Sequence, residues 1–180
     1  SDGGYYRSKS SYSFIVYDSD GNTSVRTISA GNAKRKYLMT DSSGTHQVYC
    51  VESGIDFNTG NSYVSKNGKN SSYFRKLPTE AQFGVMMALM YGWHEGKSSP
   101  VAGTNKDDYA FATQTIIWEY QQQLRTSPSD LHSANGIDAD TYCYSLKGRP
   151  AEKCYDWILS QMASHYTIPS FAARNQSKAD

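Results

Sequence analysis

The chain has no long hydrophobic run, almost no net charge and only three cysteines in 180 residues. Without about twenty consecutive apolar residues, nothing in it reads as a membrane span. A formal net charge of +1 leaves no basic footprint for nucleic acid or for an acidic lipid surface. No signal peptide opens the chain, and Ser1-Asp2-Gly3-Gly4 reads as a cut edge. No internal repeat is visible. His94-Glu95 lacks the second helical histidine of a zinc-protease motif, and neither a metal nor a cofactor is expected. Tyrosine is abundant instead, at 15 residues, in a polar chain of mean hydropathy −0.66. That mixture is common outside cells and suits contact surfaces.

The odd cysteine count has two readings. Cys143 and Cys154 lie in the last third of the chain and Cys50 stands alone. In an extracellular protein, Cys143 and Cys154 would form a disulfide across the Gly148–Pro150 corner and leave Cys50 as a free thiol. In a reducing compartment all three would be small buried hydrophobes. The counts do not choose between these.

Length and periodicity predict one α+β domain over 1–180, with strands first and helices later. The N-terminal strands are expected to make a small sheet or barrel-like half, packed with a C-terminal helical half. Residues 1–10 are expected to be an arm, 12–76 mainly β and loop, 77–171 mainly helical, and 172–180 a tail. Tyr12–Tyr17 and Ser24–Ile28 read as a hairpin around an Asp/Asn/Gly turn. Tyr37–Met39 and Gln47–Val51 read as further strands, which puts Cys50 near a strand end. The stretch 56–76 reads as a loop with a short strand at Tyr63–Ser65.

Thr79 and Gln82 make a capping-box pattern before a helix Glu80–Tyr91. Its Phe83, Val85, Met86, Met87, Leu89 and Met90 wrap nearly the whole circumference, so it is expected to be buried, and Gly92 to end it. Asp107 or Asp108 is expected to cap a helix reaching about Arg125. A short helix is read over Ile137–Leu146. Pro150 opens another over Ala151–Tyr166, with Trp157, Ile158 and Met162 inward.

Two side chains stand out chemically. Gln114 shares a helical stripe with Ala110, Phe111, Ile117 and Trp118, and burying an unpaired amide costs about 1–3 kcal/mol. Either a backbone group satisfies it, or it is no longer an amide. Cys50, between Tyr49 and Val51, is either core or a nucleophile. A thiolate attacking the Gln114 carboxamide, with loss of ammonia, would leave an Sγ–Cδ thioester. That chemistry needs an activated thiolate, donors for the oxyanion and little water. Tyr49, Trp93, Phe111 and Trp118 are candidate walls.

Three segments carry a likeness: Tyr49-Cys50-Val51-Glu52-Ser53, Leu89-Met90-Tyr91-Gly92-Trp93 and Ala112-Thr113-Gln114-Thr115-Ile116-Ile117-Trp118. In that order they resemble the thioester domains of Gram-positive surface adhesins. The likeness runs from about Leu38 to Ile168-Pro169-Ser170-Phe171. It implies a Cys50–Gln114 cross-link opened once by a nucleophile, a lysine amine on a host surface or matrix protein. It implies a monomeric, single-use binding head on a cell-wall-anchored bacterial surface protein, not a turnover enzyme. Tyr49, Glu52, Tyr91, Trp93, His94 and Trp118 are the implied supporting residues.

A lysine of ordinary pKa 10.4 is only about 0.1% neutral at pH 7.4. The site must therefore desolvate it or supply a base, for which His46, His94 and Glu52 are near in sequence. Two other classes stay open. One is a cysteine hydrolase or acyltransferase with Cys50 as nucleophile and His94 or His165 as base. The other is a non-covalent binding lobe.

Overall fold

The computed structural model describes residues 5–7, 11–17, 22–29, 32–34, 37–51, 60–62 and 71–167. Glu52, the strand read at Tyr63–Ser65, the segment Ile168–Phe171 and the tail lie outside the described residues.

Strands come first and pair two by two. β1 (Tyr5–Arg7) pairs with β4 (Asn32–Lys34), β2 (Ser11–Tyr17) with β3 (Thr23–Ser29), and β5 (Tyr37–Asp41) with β6 (Gly44–Val48). All three pairs are antiparallel. β1 and β4 were not read from the sequence, where Tyr5–Arg7 fell in the expected arm. A fourth antiparallel pair, β7 (Arg125–Ser127) with β8 (Asp130–Leu131), follows much later in the chain. The fold is α+β as expected, but no closed barrel forms among the described residues. The physical reason lies in what the strands pack against: Ile15 of β2 and Tyr37 of β5 join a cluster with Trp118, Leu124, Ile137 and Tyr142. Side chains from the β2–β3 and β5–β6 hairpins thus meet in one cluster with Trp118 of a helix and with residues of the loops that follow it.

That helix is α3 (Lys106–Gln121). Its N-cap is Asn105, whose Oδ1 accepts from the Asp107 and Asp108 amides at 2.8 and 3.0 Å, while Asp108 Oδ2 accepts from the Asn105 amide at 3.0 Å. The expected cap, Asp108, thus supplies the other half of a capping box. Every residue from Tyr109 to Gln122 is buried. α2 (Thr79–Tyr91) and α4 (Pro150–Thr167) pack against α3 in the main core, with Val85, Met87, Tyr109, Ile116, Ile158 and Met162. Gly84 lets α2 approach: a Cβ there would lie 2.1 Å from the Tyr120 ring.

Several local expectations change. Residues 72–76, read as loop, form a short helix α1 (Ser72–Lys76) capped by Ser71, whose Oγ accepts from the Phe74 amide at 3.2 Å. Thr79 does not cap α2; Pro78 holds that position, and the Gln82 side chain instead donates to the Leu77 carbonyl at 2.8 Å. α2 is not buried all round. Met86 and Met90 are 58% and 57% exposed, and Phe83 and Leu89 are also exposed, while the buried face of Ala81, Gly84, Val85, Met87 and Ala88 packs into the helical core. Of Ile137–Leu146, only Cys143–Leu146 is helical, as a single 3₁₀ turn. No described helix is long and apolar enough to cross a membrane.

Candidate functional site

Cys50 lies two residues past β6, where the strand has ended and its backbone groups are available to a side chain. Gln114, fully buried in the middle of α3, takes them both. Its Oε1 accepts from the Cys50 amide at 2.7 Å and its Nε2 donates to the Cys50 carbonyl at 2.7 Å. The carboxamide thus acts as one more strand residue paired to the chain end. This pairing answers the polar anomaly in the apolar stripe, because both ends of the amide are satisfied. It also puts the carboxamide against the residue whose Cα carries the thiol, two bonds from Sγ.

The backbone alternates around this point. Tyr49 and Val51 pack against the helical core, while Cys50 packs with Trp118 and Tyr142 in the second cluster. The Trp118 and Tyr142 rings are tilted at 41° with centroids 5.4 Å apart. Trp118 thus shares the Cys50 cluster, while Tyr49 turns to the helical core.

The Tyr91-Gly92-Trp93 turn closes one side. Gly92 is not in the left-handed region. It is glycine because a Cβ there would meet Thr113 Cγ2 at 2.3 Å. The Trp93 amide donates to Thr113 Oγ1 at 2.9 Å, and the Trp93 carbonyl accepts from the Tyr49 hydroxyl at 2.6 Å. Thr113 Oγ1 donates in turn to the Tyr109 carbonyl at 2.8 Å, the usual back-bond of a helical threonine. The Tyr109 hydroxyl donates to the Tyr91 carbonyl. Trp93 is buried, and its indole Nε1 donates to the Lys97 carbonyl at 2.8 Å. Burial lifts the Tyr49 phenol well above the usual tyrosine range, and burial followed by the nearby Cys154 pushes Tyr109 up to about 12. Both phenols stay protonated and act as donors near neutral pH.

The histidines are engaged elsewhere. His94 is exposed, with Nδ1 3.4 Å from the Glu95 carbonyl. His165 Nδ1 meets the Tyr91 hydroxyl at 2.8 Å. His46 on β6 reaches Glu95, with Nδ1 to Oε2 at 2.8 Å, and its Nε2 lies 2.9 Å from Ser43 Oγ. The hydrogen bond and charge of Glu95 raise the His46 pKa. Nothing in the sequence pointed to the His46–Glu95 pair, which spans forty-nine positions.

The Cys143–Cys154 disulfide, one of the two readings of the cysteine count, is absent from the structure. Cys154 is buried and turns its sulfur to Thr104 Oγ1 at 3.3 Å and Ser99 Oγ at 3.5 Å. Cys143 sits half-buried near a different group of residues, where burial and the Glu119 carboxylate push its thiol up to about 11. That group was not legible as a unit. Glu119, Arg125 and Tyr155 are all buried. Arg125 Nε donates to Glu119 Oε2 at 2.8 Å, and the Tyr155 hydroxyl meets Glu119 at 2.8 Å and Arg125 at 2.6 Å.

A family model described as "Thioester domain" matches residues 47–164, from the end of β6 through most of α4. No curated protein and no solved structure matches the chain.

Proposed function

The chain belongs to the thioester-domain family, and from that premise we propose that Cys50 and Gln114 condense into an internal thioester. A primary amine on a protein target later opens it. The observation that carries this reading is the two-point pairing of the Gln114 carboxamide with the Cys50 backbone, at 2.7 Å for each bond.

The chemistry follows from that pairing. Attack of the Cys50 sulfur on Cδ of Gln114 moves charge onto Oε1, where the Cys50 amide already donates. A fixed donor at the developing oxyanion is worth far more in a dry site than in water. The C–N bond breaks, Nε2 leaves as ammonia with the thiol proton, and a C–S bond takes its place. Opening runs on the same carbon. The amine nitrogen adds, the C–S bond breaks, Cys50 recovers a proton, and an amide remains at Gln114. Exchange of a thioester for an amide is downhill, so the attachment persists and each molecule acts once.

Thioester domains are self-reactive binding modules, and they occur in surface proteins. The finer reading is an adhesin head on a cell-wall-anchored Gram-positive surface protein, with a lysine of a host surface or matrix protein as nucleophile. The three ordered segments around Cys50, Trp93 and Gln114 support it.

Intact mass tests the cross-link. The native protein is expected to be lighter than its sequence by one ammonia. Methylamine is expected to add at Gln114, and both effects are expected to vanish in Cys50→Ala. A full unmodified mass, with Cys50 alkylated in the native state, would sink the reading.

A further inference from the structure

We infer that Tyr49 and Thr113 are positioning residues for the Cys50–Gln114 condensation, and that they act through the backbone of Trp93. This rests on the thioester reading above and deepens it. Each is the immediate N-terminal neighbour of a reacting residue, Tyr49 of Cys50 and Thr113 of Gln114. Each holds one polar end of the same residue. The Tyr49 hydroxyl donates to the Trp93 carbonyl at 2.6 Å, and Thr113 Oγ1 accepts from the Trp93 amide at 2.9 Å. The segment carrying the sulfur and the helix carrying the carboxamide are therefore referenced to one residue of a third segment.

That residue has little freedom to move. Its indole is buried and tied to Lys97, and Gly92 before it lies so close to Thr113 that a methyl group would not fit. The Tyr109 hydroxyl holds the Tyr91 carbonyl on the other side of Gly92. The Thr113 hydroxyl proton is committed to the Tyr109 carbonyl at 2.8 Å, which leaves an oxygen lone pair aimed at the Trp93 amide. Two short segments and a helix, distant in sequence, are thus held in register by hydrogen bonds whose donors and acceptors are all fixed. Condensation needs the sulfur and Cδ in near-attack geometry, and a misplacement of about 1 Å can cost about a hundredfold in rate.

The test is the rate of ammonia loss after refolding from denaturant, followed by intact mass, in wild type, Tyr49→Phe, Thr113→Val and Thr113→Ser. Ile158→Val, a buried apolar residue that takes no part in the hydrogen-bonded clamp, serves as a control for general destabilisation. Tyr49→Phe and Thr113→Val are expected to form the cross-link at least about tenfold more slowly. Thr113→Ser, which keeps the hydroxyl, is expected to restore the wild-type rate. The slowing is expected to exceed that of Ile158→Val at matched loss of thermal midpoint.

If the wild type loses ammonia and both variants lose it equally fast, the inference is overturned while the thioester stands. Slowing in proportion to the fall in thermal midpoint, control included, overturns it as well. If the wild type never loses ammonia, the thioester reading fails and this inference goes with it. Should Thr113→Val fail to fold, Tyr49→Phe and Thr113→Ser still decide the matter.

Discussion

Gln122 grips Ile15 as Gln114 grips Cys50. Its Oε1 accepts from the Ile15 amide and its Nε2 donates to the Ile15 carbonyl at 3.1 Å. The two glutamines sit about two turns apart at 3.6 residues per turn, so one flank of α3 and its C-cap hold two separate strand segments by the same device. Only the first faces a cysteine.

The second clamp separates structure from chemistry. Gln122→Ala leaves the buried Ile15 amide and carbonyl without that partner, at a cost of about 1–3 kcal/mol for each group left unsatisfied. Urea unfolding is expected to show that loss. The mass deficit of one ammonia is expected to remain in full, since Gln114 is untouched. Loss of the deficit in Gln122→Ala would show that the β2 end of the fold also sets the reactive geometry.

The Glu119–Arg125–Tyr155 group is expected to behave as a buried ion pair. Arg125→Met removes the cation from a carboxylate with no solvent access, and breaking such a pair costs about 3–5 kcal/mol. Adding Glu119→Gln to it is expected to recover much of that loss, because no unpaired charge is then left inside. A double-mutant cycle in denaturant melts measures the coupling. Additive losses would contradict the pairing.

His46 and Glu95 are expected to report pH. Their contact raises the folded His46 pKa above its unfolded value near 6.5. Its contribution is therefore complete below about pH 6.5 and is lost as pH rises through the raised folded value. Both groups are partly solvated, so the stability effect is small and the proton itself is the better readout. An NMR titration is expected to give His46 a midpoint above the ordinary histidine value, and Glu95→Gln is expected to bring it back toward that value. An ordinary midpoint in the native protein would contradict the contact.

What the sequence disclosed followed the physics of periodic patterns. Gln114 was conspicuous because an amide in an apolar helical stripe is costly, and the structure answers with the Cys50 backbone, the satisfied-amide reading of that anomaly. The same reasoning applied two turns further on would have flagged Gln122. Glu119, Gln122 and Arg125 follow one another as polar residues late in the helical pattern, and each is buried with a partner. The exposed stripe of Met86 and Met90 erred in the opposite direction: helical period locates an apolar face, but not whether another element covers it. Trp93 was named from the sequence, but its contacts with Thr113 and Tyr49 were hidden for a different reason. Both contacts use the Trp93 main-chain amide and carbonyl, groups common to nearly every residue, and side-chain identity does not reveal which of those groups will be used. The possible Cys143–Cys154 pairing rested on cysteine count and an extracellular setting, and neither says where the two sulfurs point.

The depth of α3 has a mechanical side. A partner joined to Gln114 would be tethered to the most enclosed rod of the molecule, not to a loop at its rim. Tension on that tether would be shared among α2, α4 and the hairpins leaning on the rod, so the anchorage could yield only by dismantling the packing of them all.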